Sequence, residues 1–157
     1  MSEQTREQAL LSDAALTGFR LNGQLLALAE ELARPAGLTA AWWQVLGAVL
    51  GEPGSVSEIA RAMGLTRQSV QRIADLLVDR GLAAYADNPA HRRAKLVTPT
   101  AAGRDAVAAI NPAHASAAKA LVAELGASRL AEVLAGMHQL SAALDRTFQD
   151  APRAARS

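Results

Sequence analysis

The sequence contains no cysteine, which excludes a disulfide framework, a thiolate zinc site and any thiol redox switch. It is also poor in aromatic residues: Phe19, Trp42, Trp43, Tyr85 and Phe148 are the only Phe, Trp or Tyr among 157 residues. Strand formers are few, while Ala, Leu, Glu, Gln and Arg are plentiful, so the composition predicts a mainly α-helical protein. The most apolar stretch, Leu38 to Leu50, is interrupted by Gln44 and is too short to span a bilayer. The N-terminus shows no basic patch followed by an apolar core, so a signal peptide is not expected and the expected location is the cytoplasm, with no membrane partner. A glycine-rich phosphate loop, a nucleophile–base pairing and a metal-ligand cluster are also missing. His114 and His138 have no second ligand at helical spacing. Neither catalysis nor a cofactor nor a metal is therefore expected.

What is present is a substantial apolar fraction, 50% of the chain, and an uneven charge distribution. Between Arg61 and Arg104 the sequence holds eight Lys or Arg against three Asp, whereas the remainder holds eight basic and twelve acidic residues. A basic middle between acidic flanks is what a phosphate-facing surface requires.

Periodicity and breakers place the elements. A first helix is expected over about Ser12–Arg34, with an apolar stripe that includes Leu16, Phe19, Leu25, Leu28 and Leu32, stopped by Pro35-Ala36-Gly37. Thr39 is a good N-cap for a second helix reaching Leu50, and Gly51 to Gly54 break the chain. Ser57 is expected to cap a short third helix ending at Gly64, and Thr66 a fourth that runs to Arg80 and stops at Gly81. Two short extended stretches, Leu82–Tyr85 and Lys95–Thr98, flank a polar turn and predict a β-hairpin with a basic tip. Helices are expected over Ala101–Leu125, broken or kinked at Asn111-Pro112, and over Ser128–Phe148.

The third and fourth helices form a helix-turn-helix pattern. Ile59, Ala60 and Met63 face the partner helix, and Gly64 permits the sharp connection. On the fourth helix Val70, Ile73, Ala74 and Leu77 recur at steps of three and four, opposite a polar face. That polar face is graded. Arg67, Gln68, Ser69, Gln71 and Arg72 crowd its N-terminal turns, whereas Asp75 and Asp79 lie toward its C-terminus. A helix entering the major groove by its N-terminal end needs this polarity. Arg can read guanine and Gln adenine by paired hydrogen bonds. His91, Arg92, Arg93 and Lys95 follow on the hairpin, where an arginine can reach the adjacent minor groove. An ordinary amphipathic helix and a merely polar loop would explain each part alone. Their succession favours DNA.

At these residues the chain resembles the multiple-antibiotic-resistance regulator (MarR) family of winged-helix proteins. The resemblance rests on the stretch from Ser57 to Leu82 and on Asn88-Pro89-Ala90-His91-Arg92-Arg93 through Thr100 to Gly103. The family's wing usually reads Asp-Pro-x-Asp-Arg-Arg-x-x-x-Val-x-Leu-Thr-x-x-Gly. Here Asn88 and His91 stand at the usual aspartates and Pro99 at the usual leucine, so the usual aspartate–arginine brace of the wing must differ. By position, the resemblance implies that Arg93 is the minor-groove residue and that Thr66, Arg67, Gln68, Ser69, Gln71 and Arg72 form the recognition surface.

The resemblance further implies a symmetric homodimer with intertwined terminal helices. The apolar content of Leu10–Leu32 and Val107–Leu144, more than a lone helix pair can cover, points the same way. Residues 1–37 are thus expected to form an N-terminal dimerisation helix, 38–104 the winged helix-turn-helix, 105–150 the C-terminal dimerisation helices and 151–157 a loose tail. The expected partner is duplex DNA bearing a palindromic operator, with the protein acting as a repressor. The resemblance also implies a cleft for a small aromatic or phenolic ligand, which Phe19, Trp42 and Trp43 would line, although adjacent tryptophans also serve as core anchors. The alternative function is a winged-helix module that docks an acidic protein through its basic face.

Overall fold

The computed structural model describes residues 3–149; the tail expected over 151–157 lies outside the described residues. The described chain is mainly helical with one small sheet. It divides between Ala113 and His114 into two compact units.

In the first unit, helix α1 (Glu3–Ala33) begins well before Ser12. It passes into a single 3-10 turn, Arg34–Ala36, which ends at Gly37 in the left-handed region. Helix α2 (Ala40–Ala48) is capped as expected: Thr39 Oγ1 accepts from the Trp42 N–H at 3.1 Å. A second cap comes from α1, where Glu30 Oε2 accepts from the Ala40 N–H at 2.7 Å. Helices α3 (Val56–Met63) and α4 (Arg67–Asp79) follow, joined by a turn in which Gly64 adopts φ +64°. Only glycine takes that angle without steric cost, and it lets the Leu65 N–H fold back onto the Ala60 carbonyl at 2.9 Å.

The N-cap of α3 is Ser55, two residues before the position expected from sequence. Ser55 Oγ accepts from the Glu58 N–H at 3.3 Å, and Glu58 Oε2 accepts from the Ser55 N–H at 2.7 Å, a reciprocal capping box. The displacement has a tertiary cause. Gly54–Ser55 forms a short strand, β1, so the helix starts directly out of a sheet.

The Ser55 backbone N–H, and then its hydroxyl, hold the Glu58 carboxyl below the ordinary carboxylate range. Because the folded-state value is lowered, this stabilisation is complete above the ordinary glutamate value and disappears as pH falls through the folded one. The urea midpoint should therefore drop as pH is lowered through and below the ordinary glutamate value. Glu58→Gln, which keeps the reach but not the charge, should flatten part of that drop. An identical acid limb in the variant would remove Glu58 from the account.

Strands β2 (Ala83–Ala86) and β3 (Leu96–Pro99) form the expected hairpin, each displaced by one residue from its expected span. The sheet order is β1-β3-β2, all antiparallel, with Tyr85 opposite Val97 and Ser55 opposite Leu96. Pro99 ends β3 beyond the stretch that β1 pairs with, a position where a strand tolerates a residue lacking an N–H. Thr100 then caps helix α5 (Ala101–Ala108): its Oγ1 accepts from the Gly103 N–H at 3.1 Å and donates to the Gly81 carbonyl at 2.6 Å.

The core of this unit gathers Val45, Leu46 and Val49 from α2, Ile59 and Ala60 from α3, and Val70, Ile73, Ala74 and Leu77 from α4, all buried. Ala83, Val97, Val107 and Ile110 close it from the sheet and α5. Helices α2, α3, α4 and α5 thus turn their apolar stripes to one centre, which fixes the direction of their polar faces.

Helix α6 (Asn111–Leu125) starts at the proline: Pro112 takes the second helical position, where its missing N–H breaks no internal bond, so of the expected kink or break it is the break that occurs. In the second unit α6 is followed by α7 (Ala127–Leu144) and a π-helical turn, Asp145–Gln149. Neither α6 nor α7 buries a single residue within the chain, and Leu121, Leu125, Val133, Leu134, Met137 and Leu140 stay exposed.

Candidate nucleic-acid interface

Helix α4 buries its apolar face and presents the polar one as its sequence dictates. Arg67, Gln68, Ser69, Gln71 and Arg72 are all exposed. Thr66 is exposed too but is spent on structure: its Oγ1 accepts from the Ser69 N–H at 3.1 Å and donates to Ser69 Oγ at 2.9 Å. Ser69 keeps its own hydroxyl proton to give. Arg67 and Arg72 form no ion pair among the described residues, so both guanidiniums remain available to an external anion.

The hairpin tip is shaped by its own backbone. Asn88 Oδ1 accepts from the Ala90 N–H at 3.0 Å, and two turns follow, His91 N–H to Asn88 O at 3.2 Å and Ala94 N–H to His91 O at 3.1 Å. Asn88 thus does the turn-forming work of an aspartate without its charge. The brace across the hairpin is an ion pair between Lys95 and Asp87 at 3.1 Å, with the two side chains 61% and 98% exposed. A pair so exposed contributes little stability, and it leaves Lys95 within reach of a competing phosphate. His91, Arg92 and Arg93 are exposed, and neither arginine is paired among the described residues.

Helix and wing meet in one cleft of about 510 Å³, lined by Arg67 and Gln71 from α4, Tyr85, Arg93 and Lys95 from the hairpin, and Ser55–Ser57 at the start of α3. Four of the ten residues expected from sequence therefore share a single concavity. Tyr85, absent from that expectation, joins its walls. Its hydroxyl donates to Asp75 Oδ1 and accepts from Gln71 Nε2 at 2.9 Å, while the same Nε2 donates to Asp75 Oδ1 at 3.0 Å. Burial first, and then the Asp75 carboxylate, push the Tyr85 hydroxyl up to about 12. The only sequence signal for Tyr85 is its place on the strand that follows α4. That it reaches back to the helix is a matter of tertiary geometry.

The three aromatics expected to share a ligand cleft do not meet. Trp43 lines a cavity of about 460 Å³ with Leu25, Leu26 and Ala29 of α1, Gln44, and Met63 of α3. Trp42 points elsewhere and is covered by the Arg80 guanidinium, 5.4 Å from its ring centre. Phe19, 74% exposed, does not line that cavity. No group of three or more His, Cys, Asp or Glu able to hold a metal occurs among the described residues. No helix among them is long and apolar enough to cross a membrane.

Comparison with known proteins places this geometry. The MarR family profile matches residues 36–94, from the end of α1 to the wing. An uncharacterized protein of Mycobacterium tuberculosis is 42% identical over 92 residues, 59% of this chain, and the chain spans 64% of that relative's length. Among solved structures, the Mycobacterium tuberculosis transcriptional regulator MosR in complex with DNA superposes with TM-score 0.67 at 25% identity, covering 83% of this chain and 96% of that one. Bordetella bronchiseptica BpsR, whose DNA binding is regulated by 6-hydroxynicotinic acid, superposes with TM-score 0.71 at 23% identity, covering 82% and 98%. With residues 36–94 matched to the MarR family and the same fold in the solved structures, this chain has a winged helix-turn-helix fold similar to that of MarR family regulators.

Proposed function

We propose that this protein is a transcriptional regulator that binds duplex DNA as a homodimer on a palindromic operator, most simply as a repressor. The observation that carries the reading is the shared cleft: Arg67 of α4 and Arg93 and Lys95 of the wing line one concavity, with further unpaired arginines beside it. In this reading α4 enters the major groove by its N-terminal turns, where Arg67, Gln68 and Arg72 meet base edges and Thr66 and Ser69 lie against the backbone. His91, Arg92 and Arg93 follow the adjacent minor groove, where a narrow groove attracts arginine. MosR, which shares the fold, was solved with DNA.

A second copy is the natural cover for the apolar faces. Leu10, Leu11, Leu16 and Phe19 on α1 are 58–74% exposed, and α6 and α7 bury nothing within the chain. Paired subunits would set their recognition helices about 34 Å apart, one turn of DNA.

Selection of bound duplexes from a random pool, followed by salt titration of the selected site, tests the proposal. Arg72→Ala should weaken the selected site by about 1–3 kcal/mol while leaving the dimer intact. Arg93→Ala should lower affinity and flatten the salt slope by about one unit. A selected pool without half-site symmetry, or a slope untouched by Arg93→Ala, would count against the operator geometry or the wing contact respectively. If the basic face instead docks an acidic protein, no duplex will outcompete scrambled DNA.

The cavity beside Trp43 is the place for a small aromatic ligand, since its walls are apolar and Gln44 offers a polar contact. BpsR, with the same fold, responds to an aromatic acid. Trp42 and Phe19, though proposed from sequence, would touch such a ligand only after rearrangement.

A further inference from the structure

The sheet order β1-β3-β2 leaves β2 at an edge, and α4 packs beside that edge. Tyr85 stands one residue before the end of β2, where the strand gives way to the wing tip. Its hydroxyl donates to Asp75 Oδ1 and accepts from Gln71 Nε2 at 2.9 Å, and both partners belong to α4. The phenol oxygen and the Asp75 oxygen are bonded to each other, so they lie on one side of the Gln71 amide and share one of its N–H bonds. The other N–H and Oε1 stay with Gln71 for a further partner. Tyr85 and Gln71 line the cleft that also holds Arg67 from the helix and Arg93 and Lys95 from the wing. The bridge therefore crosses from the helix side of that cleft to the wing side. The ion pair of Lys95 with Asp87 joins the hairpin to itself and leaves its distance from α4 unset.

We propose that Tyr85 is a positioning residue: by tying the edge of the wing to Asp75 and Gln71 it sets the gap between α4 and the arginine-bearing tip, an inference that rests on the DNA-binding function proposed above. One subunit that meets a duplex in two grooves needs a fixed distance between its two contacts. A hairpin free to swing from its base would be ordered only on meeting DNA, and that ordering is subtracted from affinity. The bridge does the ordering in the free protein. It also gives Asp75 a task on a helix otherwise offered to phosphate. Exposed hydrogen bonds contribute little to folding stability, so the effect of this bridge falls on the placement of the wing.

The test compares the full-length protein with Tyr85→Phe, Arg93→Ala and the double variant, by selection from a random duplex pool and titration of the selected site. Arg93→Ala marks the positions that the wing reads. Tyr85→Phe keeps the ring and removes both bonds of the hydroxyl. It should weaken the selected site about three- to tenfold, flatten preference at the wing positions alone, and leave the urea midpoint nearly unmoved. In the Arg93→Ala background the same change should cost less than about twofold, because the contact it places is gone. Asp75 gives a second route to the same answer. Tyr85→Phe should cost nothing in an Asp75→Ala background, yet keep its cost in Asp75→Asn, which retains the accepting oxygen. A loss spread evenly over all positions, a loss undiminished without Arg93 or without Asp75, or a loss matched by an equal fall in folding stability would each overturn the inference while leaving DNA recognition intact. If the unmodified protein selects no sequence at all, the function proposed above falls with it.

Discussion

Gly103→Ala should cost about 3 kcal/mol or more and lower the melting temperature by roughly 10 °C. The reason is contact rather than backbone angle. A Cβ at this position would collide with the Leu82 carbonyl oxygen and lie 3.0 Å from its carbon and 3.4 Å from Leu46 Cδ2. The obstacle cannot swing aside as a side chain would. The Leu82 carbonyl accepts from the Thr100 N–H at 3.1 Å, and the Leu82 N–H donates to Leu77 O at 2.8 Å, so the group is held by both α4 and the cap of α5. Relief requires α5 to move away from the turn that ends α4, which would loosen that helix as well. The control is Gly47→Ala on α2, where no heavy atom lies within 4 Å of the new Cβ. There the gain in helix propensity should leave stability unchanged or raise it by up to about 1 kcal/mol. Melting of both variants at one protein concentration decides the point, and equal tolerance would mean that α5 does not press on Leu82.

Leu77→Ala should destabilise the protein by about 3–4 kcal/mol, within the range for a buried leucine that leaves a cavity. Leu77 is fully buried and packs in the cluster that joins α2, α3, α4 and the sheet. Its neighbour Leu76 is 39% exposed, and Leu76→Ala should cost only a fraction of that. Two adjacent leucines with such different costs would verify which face of α4 is inward, and hence which side chains are offered to a ligand. Urea unfolding of the two variants measures this directly, and equal losses would contradict this orientation of α4. If the proposed function holds, DNA affinity should fall with Leu77→Ala even at temperatures where the variant stays folded, because the exposed polar side chains of α4 lose their rigid seat.

Much of the candidate interface was legible before any coordinates. The spacing of Val70, Ile73, Ala74 and Leu77 requires one buried face, so Arg67, Gln68, Gln71 and Arg72 had to be on the outside. Thr39, Thr66 and Gly81 mark helix ends through local hydrogen bonding and backbone freedom, and the structure uses them so. The cap at Ser55 was misplaced to Ser57 because the competing signal was not local: strand β1 pairs with residues some forty positions later. Asn111-Pro112 predicts a kink or a break, and the structure shows the break. The chain stops α5 at Ala108 and starts anew, which satisfies the proline at lower cost. Of the three aromatics expected at a ligand cleft, Trp43 lines the cavity against α1, while Trp42 and Phe19 are not among its walls.

The sequence by itself determined the helical character, the helix-turn-helix, the outward basic face of α4 and the arginine-bearing hairpin, because each depends on periodicity, caps and turn chemistry within a few residues. Tertiary structure alone decided that Arg67 and Arg93 share a cleft, that Trp42 serves Arg80 while Trp43 lines a cavity, and that Tyr85 and Asp75 hold Gln71 by its nitrogen. Those facts arise where elements distant in sequence approach one another, and no local propensity encodes the distance between two side chains on different elements.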